Sequence, residues 1–262
     1  MQTDRIIKLR ELYESGLSGR EIVGNEIKEL VNTIIQGDCL EVLPTLPRAK
    51  MIFADPPDNL GLKYNGFDDK IPRYMEWLWK RLWKAWDYTT DILWLSYYHK
   101  YQPNILSWVG NYDLPCRQFI WRFTFGQHRQ KDCGNGYRPI LRLMRPGARL
   151  YPDAIRVPSK RQTLYNDKRA NPKGRVPDDV WEFPRVCGTF NERRKWHPNQ
   201  HPEALIERIV KFSTAPGDLV IDMFAGTGTV NRVCKRLGRS CIGIEISPFY
   251  CEKIREEIGA AV

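Results

Sequence analysis

The segment Asp218–Glu245, DLVIDMFAGTGTVNRVCKRLGRSCIGIE, constrains the fold more than any other part of the chain. An apolar run ends at Asp222, glycines follow at positions 226 and 228, a helical stretch closes at Gly238, and SCIGIEI is apolar again. Gly238 is the expected C′ residue, because a residue without Cβ enters the left-handed region at least cost. A strand that returns through a helix to a second strand pairs parallel to it, and parallel strands are buried on both faces. The expectation is therefore an α/β protein whose loops at the strand C-termini carry function.

The same alternation runs through the first half. TIIQGDC reads as a strand ending in a Gly-Asp turn, LEVLPTLPR as a brief helix, and KMIFADPP as a buried strand running into two prolines. DILWLSYY and QFIWRFTF read as further strands, and HPEALIERIVKFS and PFYCEKIREEI as amphipathic helices, the latter with Pro248 in its first turn. In YMEWLWKRLWKAW, Trp79, Trp83 and Trp86 fall at helical spacing. Such a row could stack on bases, but a helix packed on a sheet produces the same pattern, and core packing is the expected role. Ile6, Leu9, Leu12 and Tyr13, then Ser18 as an N-cap, suggest two short helices over 1–31, which ordinary helical hairpins share with DNA-reading ones. A catalytic domain over 32–262 completes the plan, since 262 residues suit one domain with insertions.

From about 126 to 195 the periodicity fades into Gly, Pro, Asn and Arg, as in VPSKRQTLYNDKRANPKGRVPDD. From Arg117 to Lys195 there are 19 Lys/Arg and 7 Asp/Glu, an excess larger than the net +10 of the whole chain. A basic field on an otherwise near-neutral body fits a polyanion, so this stretch is expected to be a mostly irregular, target-recognising insertion facing nucleic acid. Arg161, Lys168 and Arg169 are its leading phosphate contacts. The seven cysteines form no CxxC pair, so free thiols and no metal site are expected. No run approaches the length of a membrane helix, and the first residues lack a signal-peptide core. A cytoplasmic protein that does not engage membranes is the expectation, associated with the nucleoid or, if phage-encoded, in a host's cytoplasm.

Two constellations carry chemistry. In the first, Gly226 and Gly228 at a helix N-terminus let backbone approach a ligand closely, and Glu245 at the tip of the next strand is placed for the hydroxyls of a ribose. A lone GxG is shared by many nucleotide binders; the strand-end carboxylates Asp222 and Glu245 sharpen it. In the second, Asp55-Pro56-Pro57 ends a buried strand as a rigid acceptor, because proline fixes φ and offers no N–H. A base amino group has its lone pair delocalised into the ring. Acceptors on its hydrogens favour a tetrahedral nitrogen able to attack a methyl group, which needs no metal. In isolation, Asp-Pro-Pro also fits a plain turn.

Together these segments resemble one family. GDCLEVLPTLPRAKMIFADPP is similar to the segment ending in the Asp-Pro-Pro-aromatic motif of DNA amino-methyltransferases, and WHPNQHPEALIERIVKFSTAPGDLVIDMFAGTGTVNRVCKRLGRSCIGIEISPFYCEKI resembles that family's cofactor half. The catalytic motif comes first and the cofactor motif last, the β arrangement, which implies a circularly permuted Rossmann-like methyltransferase sheet. The resemblance implies S-adenosylmethionine as cofactor, with Asp222, Phe224, Gly226, Gly228 and Thr229 around its methionine part and Glu245 on its ribose. Asp38 and Cys39 would edge its adenine, although a Gly-Asp turn capping a helix explains them equally. His197, Asn199 and Gln200 would approach its amino-acid end, although a structural loop explains His197 and Asn199 equally. Asp55, Pro56 and Pro57 would hold the target amino group.

The partner implied is double-stranded DNA, with a homodimer allowed and a restriction-modification context. Where the family has an aromatic residue that stacks on a flipped base, this chain has Asp58. Stacking then falls to Tyr64 or Phe67, and Asp58 is expected to turn from the pocket toward Lys63. Adenine N6 is the expected target, cytosine N4 its rival, and a DNA-binding regulator without turnover the alternative from another class.

Overall fold

Strand and helix signals assemble into one eight-stranded sheet in the computed structural model, which describes residues 32–127 and 130–260. The helical pair expected over 1–31 lies outside the described residues. In chain order the strands are β1 (Thr33–Gln36), β2 (Ala49–Ala54), a separate hairpin of β3 (Lys63–Tyr64) and β4 (Phe67–Asp68), β5 (Thr89–Ser96), β6 (Cys116–Gln127), β7 (Asn135–Met144), β8 (Val180–Glu182), β9 (Leu219–Asp222) and β10 (Ser240–Glu245). The sheet runs β1-β10-β9-β2-β5-β7-β6-β8. Its first five strands are parallel, β7 is antiparallel to both β5 and β6, and β8 lies parallel to β6. This is the expected Rossmann-like α/β sheet, with β2, which runs into Asp55-Pro56-Pro57, early in the chain and β9, which ends at Asp222, late. Residues far apart in sequence become neighbours where β2 and β9 pair, Ile52 opposite Ile221 and Phe53 opposite Asp222.

Side-chain alternation along the strands divides the core into two layers. Ile52, Leu93, Leu141, Ile221 and Ile242 face one side, against Leu78, Leu82, Ala85 and Trp86 of α2 (Tyr74–Tyr88), which follows the short α1 (Cys39–Val42). The helix α3 (Gln102–Asn111) adds Ile105, Trp108 and Val109 to that layer. Met51, Phe53, Ile92, Trp94, Val220 and Cys241 face the other side. There they meet α5 (Glu203–Ser213) and α6 (Thr229–Arg236), which come after a single-turn α4 (Lys160–Thr163). The closing α7 (Pro248–Ala260) packs Ile254 and Ile258 against Ile34. Each fully buried Leu or Ile contributes about 1.5–3 kcal/mol relative to exposure. The tryptophan row is core, as expected: Trp86 is buried, and Trp79 and Trp83 are half-buried against the same layer. Among the described residues no helix is long and apolar enough to cross a membrane.

The stretch from about 126 to 195, expected to be mostly irregular, contains the ten-residue strand β7 inside the sheet. Its pattern is disguised because Arg138 and Arg142 interrupt the apolar run. Arg138 meets the carboxylates of Asp55 and Asp58, and the Arg142 guanidinium lies over the rings of Phe119 and Phe212. Beyond β7 the backbone is irregular save for α4, β8 and a 3₁₀ turn over Pro152–Ile155.

Candidate active site

Parallel strands end at one edge of the sheet, and four of them deliver a carboxylate there. Asp38 follows β1, Asp55 follows β2, and Asp222 and Glu245 end β9 and β10. All four line one cavity of about 450 Å³. Ligands of open α/β sheets bind in such a crevice beyond the strand C-termini.

In the half of the cavity under β9 and β10, the turn after Asp222 needs its glycines. Gly226 has φ 53° and Gly228 φ 70°, and a Cβ on Gly228 would sit 2.5 Å from Ile254 Cγ2. Gly226 N–H donates to Glu245 Oε2 at 2.9 Å and Ser247 N–H to Oε1 at 2.8 Å, which holds Glu245 across the turn. Burial pushes its carboxyl up from the ordinary value. Asp222 Oδ1 accepts the Phe224 N–H at 3.2 Å. Burial outweighs that bond and, with the charges of Asp55 and Glu245, pushes the Asp222 carboxyl up to about 8. Phe224 lies against Trp77 of α2, ring centroids 6.0 Å apart, and Thr229 Oγ1 meets Thr227 Oγ1 at 2.9 Å.

At the far wall Asp38 caps α1, accepting the Leu40 N–H at 2.9 Å, and its other oxygen pairs with Arg81 at 2.5 Å. Cys39 is buried behind it, and burial pushes its thiol up to about 12, so it is neutral. His197 is buried with Nδ1 2.5 Å from the Asn199 carbonyl, and burial holds its imidazole down at about 4, hence uncharged at neutral pH. Its Nε2 would lie 3.2 Å from a Cβ on Gly226, so the glycine turn and the imidazole fit edge to edge. Gln200 braces its own loop: Oε1 accepts the Arg194 N–H at 2.8 Å and Nε2 donates to the Glu192 carbonyl at 2.6 Å. The Asn199 side chain is exposed, 3.5 Å from Tyr64 Oη.

Asp55 sits in the other half. Arg138 Nη2 donates to its Oδ1 at 2.8 Å, and His201 Nδ1 lies 3.2 Å from its Oδ2. Burial alone would raise its carboxyl, but His201 and the Arg138 guanidinium outweigh it and hold Asp55 well below the usual carboxylate range. Tyr74 Oη donates to the Pro57 carbonyl at 2.7 Å, fixing the Pro56-Pro57 turn. Against expectation, Asp58 does not turn from the pocket toward Lys63: it is buried and lines the cavity, while Lys63 is exposed. Asp58 accepts Arg138 Nη1 at Oδ2 and Nη2 at Oδ1, both at 2.9 Å. A carboxylate with 7% exposure needs a donor that is itself buried, and a lysine on the hairpin cannot be one.

Tyr64 on β3 lines the cavity with its ring 5.5 Å from His197 and 6.4 Å from Phe67. Arg161, Lys168 and Arg169 are exposed and lie away from the cavity lining, and Arg161 and Arg169 both pair with Asp167, at 2.6 and 3.0 Å. Sequence reading does not single out Arg138, His201, Ser96, Trp77 or Arg81. Ser96, Trp77 and Arg81 lie on segments expected to be core, Arg138 lies in the basic stretch expected to face nucleic acid, and His201 opens an amphipathic helix in the segment that resembles the family's cofactor half. The available signal is a second carboxylate at position 58, three residues after Asp55, a pair that needs a shared cation if both face one site.

A mostly parallel sheet with an acidic cavity at its strand ends and a strand-terminal Asp-Pro-Pro is the architecture of a Rossmann-like α/β enzyme. The family model for DNA methylases of the N6/N4 type matches residues 49–256. The DNA adenine methyltransferase YhdJ of Escherichia coli (strain K12) is 35% identical over 249 residues, covering 87% of this chain and 81% of that protein. The type II methyltransferase M.HpaI of Haemophilus parainfluenzae is 33% identical, covering 79% of this chain and 67% of that protein. Among solved structures, PvuII DNA methyltransferase (cytosine-N4-specific) has a TM-score of 0.66 at 16% identity over 87% of this chain and 89% of its own. The M1.HpyAVI–SAM complex has a TM-score of 0.59 at 20% identity over 86% of this chain and 98% of its own. The structures share the fold. The chain belongs to the DNA methylase family and is a DNA methyltransferase.

Proposed function

We propose that this protein transfers the methyl group of S-adenosylmethionine to N6 of adenine in double-stranded DNA. The observation that carries the reading is an ionised Asp55 in the same cavity as the buried carboxylates Asp222 and Glu245. An acidic cavity whose buried Asp222 has too little positive charge beside it fits a ligand bearing an ammonium and a sulfonium. S-adenosylmethionine supplies an electrophilic methyl group on that sulfonium. Asp222, Phe224, Gly226, Gly228 and Thr229 would hold its methionine part, Glu245 its ribose, and Asp38 and Cys39 its adenine. His197, Asn199 and Gln200 would close the amino-acid end.

On the target side Asp55 accepts a hydrogen of the base amino group and stabilises the charge that develops on nitrogen. Held well below the usual range, its carboxyl accepts a hydrogen bond throughout and does not keep the proton, which passes to solvent. Tyr64 offers an aromatic face at the cavity wall for a base leaving its stack. Arg161, Lys168 and Arg169 supply the phosphate-facing charge outside the cavity. Kinship with an enzyme named for adenine favours that base.

Digesting incubated duplex DNA to nucleosides and weighing them tests the reading. N6-methyladenine is expected; N4-methylcytosine would overturn the target, and no methylated nucleoside would overturn the activity. Asp55→Asn should lower turnover about 10²- to 10³-fold with calorimetric cofactor affinity unchanged. Wild-type turnover by this variant would remove Asp55 from the chemistry.

A further inference from the structure

Arg138 does more than neutralise one carboxylate. Its Nη1 and Nη2 clamp both oxygens of Asp58 at 2.9 Å, Nη2 reaches Asp55 at 2.8 Å, and Nε donates to Ser96 Oγ at 2.6 Å. Ser96 Oγ lies 3.1 Å from His201 Nε2, and His201 Nδ1 lies 3.2 Å from the second oxygen of Asp55. With the ring proton on Nδ1, every donor has an acceptor: Arg138 donates to Ser96, Ser96 to His201, and His201 back to Asp55. The result is a closed ring whose members come from four places: the end of β2, β7, the end of β5 and the segment before α5. Asp58 stands outside the ring and anchors its guanidinium corner. Two intervening prolines keep Asp55 and Asp58 three residues apart on a stiff turn, so that one guanidinium serves both.

We propose that Arg138, anchored by Asp58, is a positioning residue for methyl transfer: the ring fixes the carboxylate plane of Asp55 and leaves its remaining lone pairs aimed at the target amino group. This rests on the reading of Asp55 as the amino-group acceptor. It also accounts for Asp58. Where the family resemblance implies a stacking aromatic, this chain places the counter-ion that keeps Arg138 oriented, and stacking is left to another side chain. The side chains of Arg138 and Asp58 are 14% and 9% exposed, and both line the cavity, so their mutual fork is the main partner each has there.

Electrostatics around Asp55 make the idea testable. Arg138 faces it from β7, His201 from the segment before α5, Asp58 from its own turn and Asp222 from β9. Tyr64, Tyr74 and His197, uncharged at neutral pH, complete the set. Without Arg138, two carboxylates crowd one turn and repel.

The experiment is a double-mutant cycle on the full chain with duplex DNA, reading kcat, KM and the acid limb of kcat against pH. Arg138→Met should lower kcat at pH 7 at least tenfold and move the acid limb upward by at least one pH unit, with KM for the cofactor unchanged. Asp58→Asn added to Arg138→Met should remove the repulsion, return the limb by more than half of its displacement and recover at least threefold in kcat. Arg138→Lys, which keeps the charge but not the fork, should keep the wild-type limb with lower kcat. Melting of each variant by circular dichroism identifies any that fails to fold; the double variant, free of unpaired charge, then carries the test against wild type. Additive losses, or an acid limb in Arg138→Met that coincides with wild type, would overturn the proposal. Wild-type protein with no methyl transfer at all would overturn the underlying reading instead.

Discussion

Replacing Asp222 by Asn removes a titrating group from the cofactor half while keeping an oxygen for the Phe224 N–H. In the free protein, burial pushes the Asp222 carboxyl up to about 8, so at pH 7 roughly nine-tenths of it is protonated. A cationic ligand beside it favours the carboxylate, so binding at pH 7 should expel close to one proton. The sign follows from the raised value: affinity rises with pH up to about 8, by about 1.4 kcal/mol, or tenfold in Kd, per pH unit below it. Stability of the unliganded protein runs the other way. The folded value lies above the unfolded 3.8, so this group's contribution is complete below that pH and lost as pH rises toward about 8. Calorimetry with S-adenosylhomocysteine, which keeps the ammonium, is the assay. Titrations at pH 7 in two buffers of different ionisation enthalpy give the proton count, and Kd at pH 6, 7 and 8 gives the slope. Wild type should release about 0.9 proton at pH 7, and Asp222→Asn should lose most of that release and show a flatter Kd. Equal proton release by wild type and variant would refute the assignment.

Electrostatic capture of DNA should divide unequally among the three exposed cations. Lys168→Ala should reduce the slope of log K against log salt by about 0.9. Arg161 and Arg169 already pair with Asp167, so Asp167→Asn should steepen the slope, read by fluorescence anisotropy on a labelled duplex. Tyr64→Ala should reduce methylation of a paired target more than that of a mispaired one, since stacking recovers about 1–3 kcal/mol of the flipping cost. Tyr64→Phe should be nearly silent, because the Oη contact with Asn199 is long at 3.5 Å; equal losses on both substrates would remove Tyr64 from base capture. Gly228→Ala should destabilise the fold by roughly 1–3 kcal/mol in denaturant melts, because its Cβ meets Ile254 at 2.5 Å on a backbone with φ 70°.

Local signals carried the sheet and the strand-end carboxylates that line the cavity. Apolar runs bounded by Gly-Asp, Asp-Pro-Pro and Gly-Thr-Gly are read directly because parallel strands are buried on both faces and their loops need special backbone. Asp222, Glu245 and Asp55 are therefore legible as strand-end carboxylates from position alone. Strand β7 was not, since two arginines break its pattern, and the fold meets Arg138 with carboxylates and Arg142 with aromatic rings that no neighbour in sequence provides.

Composition and motif order by themselves determined the class of fold, the acidic strand ends and the basic middle segment, because each is read from residue types and their order along the chain without knowing which segments touch. Which charge answers which was decided only by tertiary structure. The pairing of β2 with β9 sets Asp55 near Asp222, and the antiparallel return of β7 brings Arg138 between Asp55 and Asp58. A buried carboxylate must find its donor within hydrogen-bonding distance. Chain order says nothing of that distance until the strands have paired.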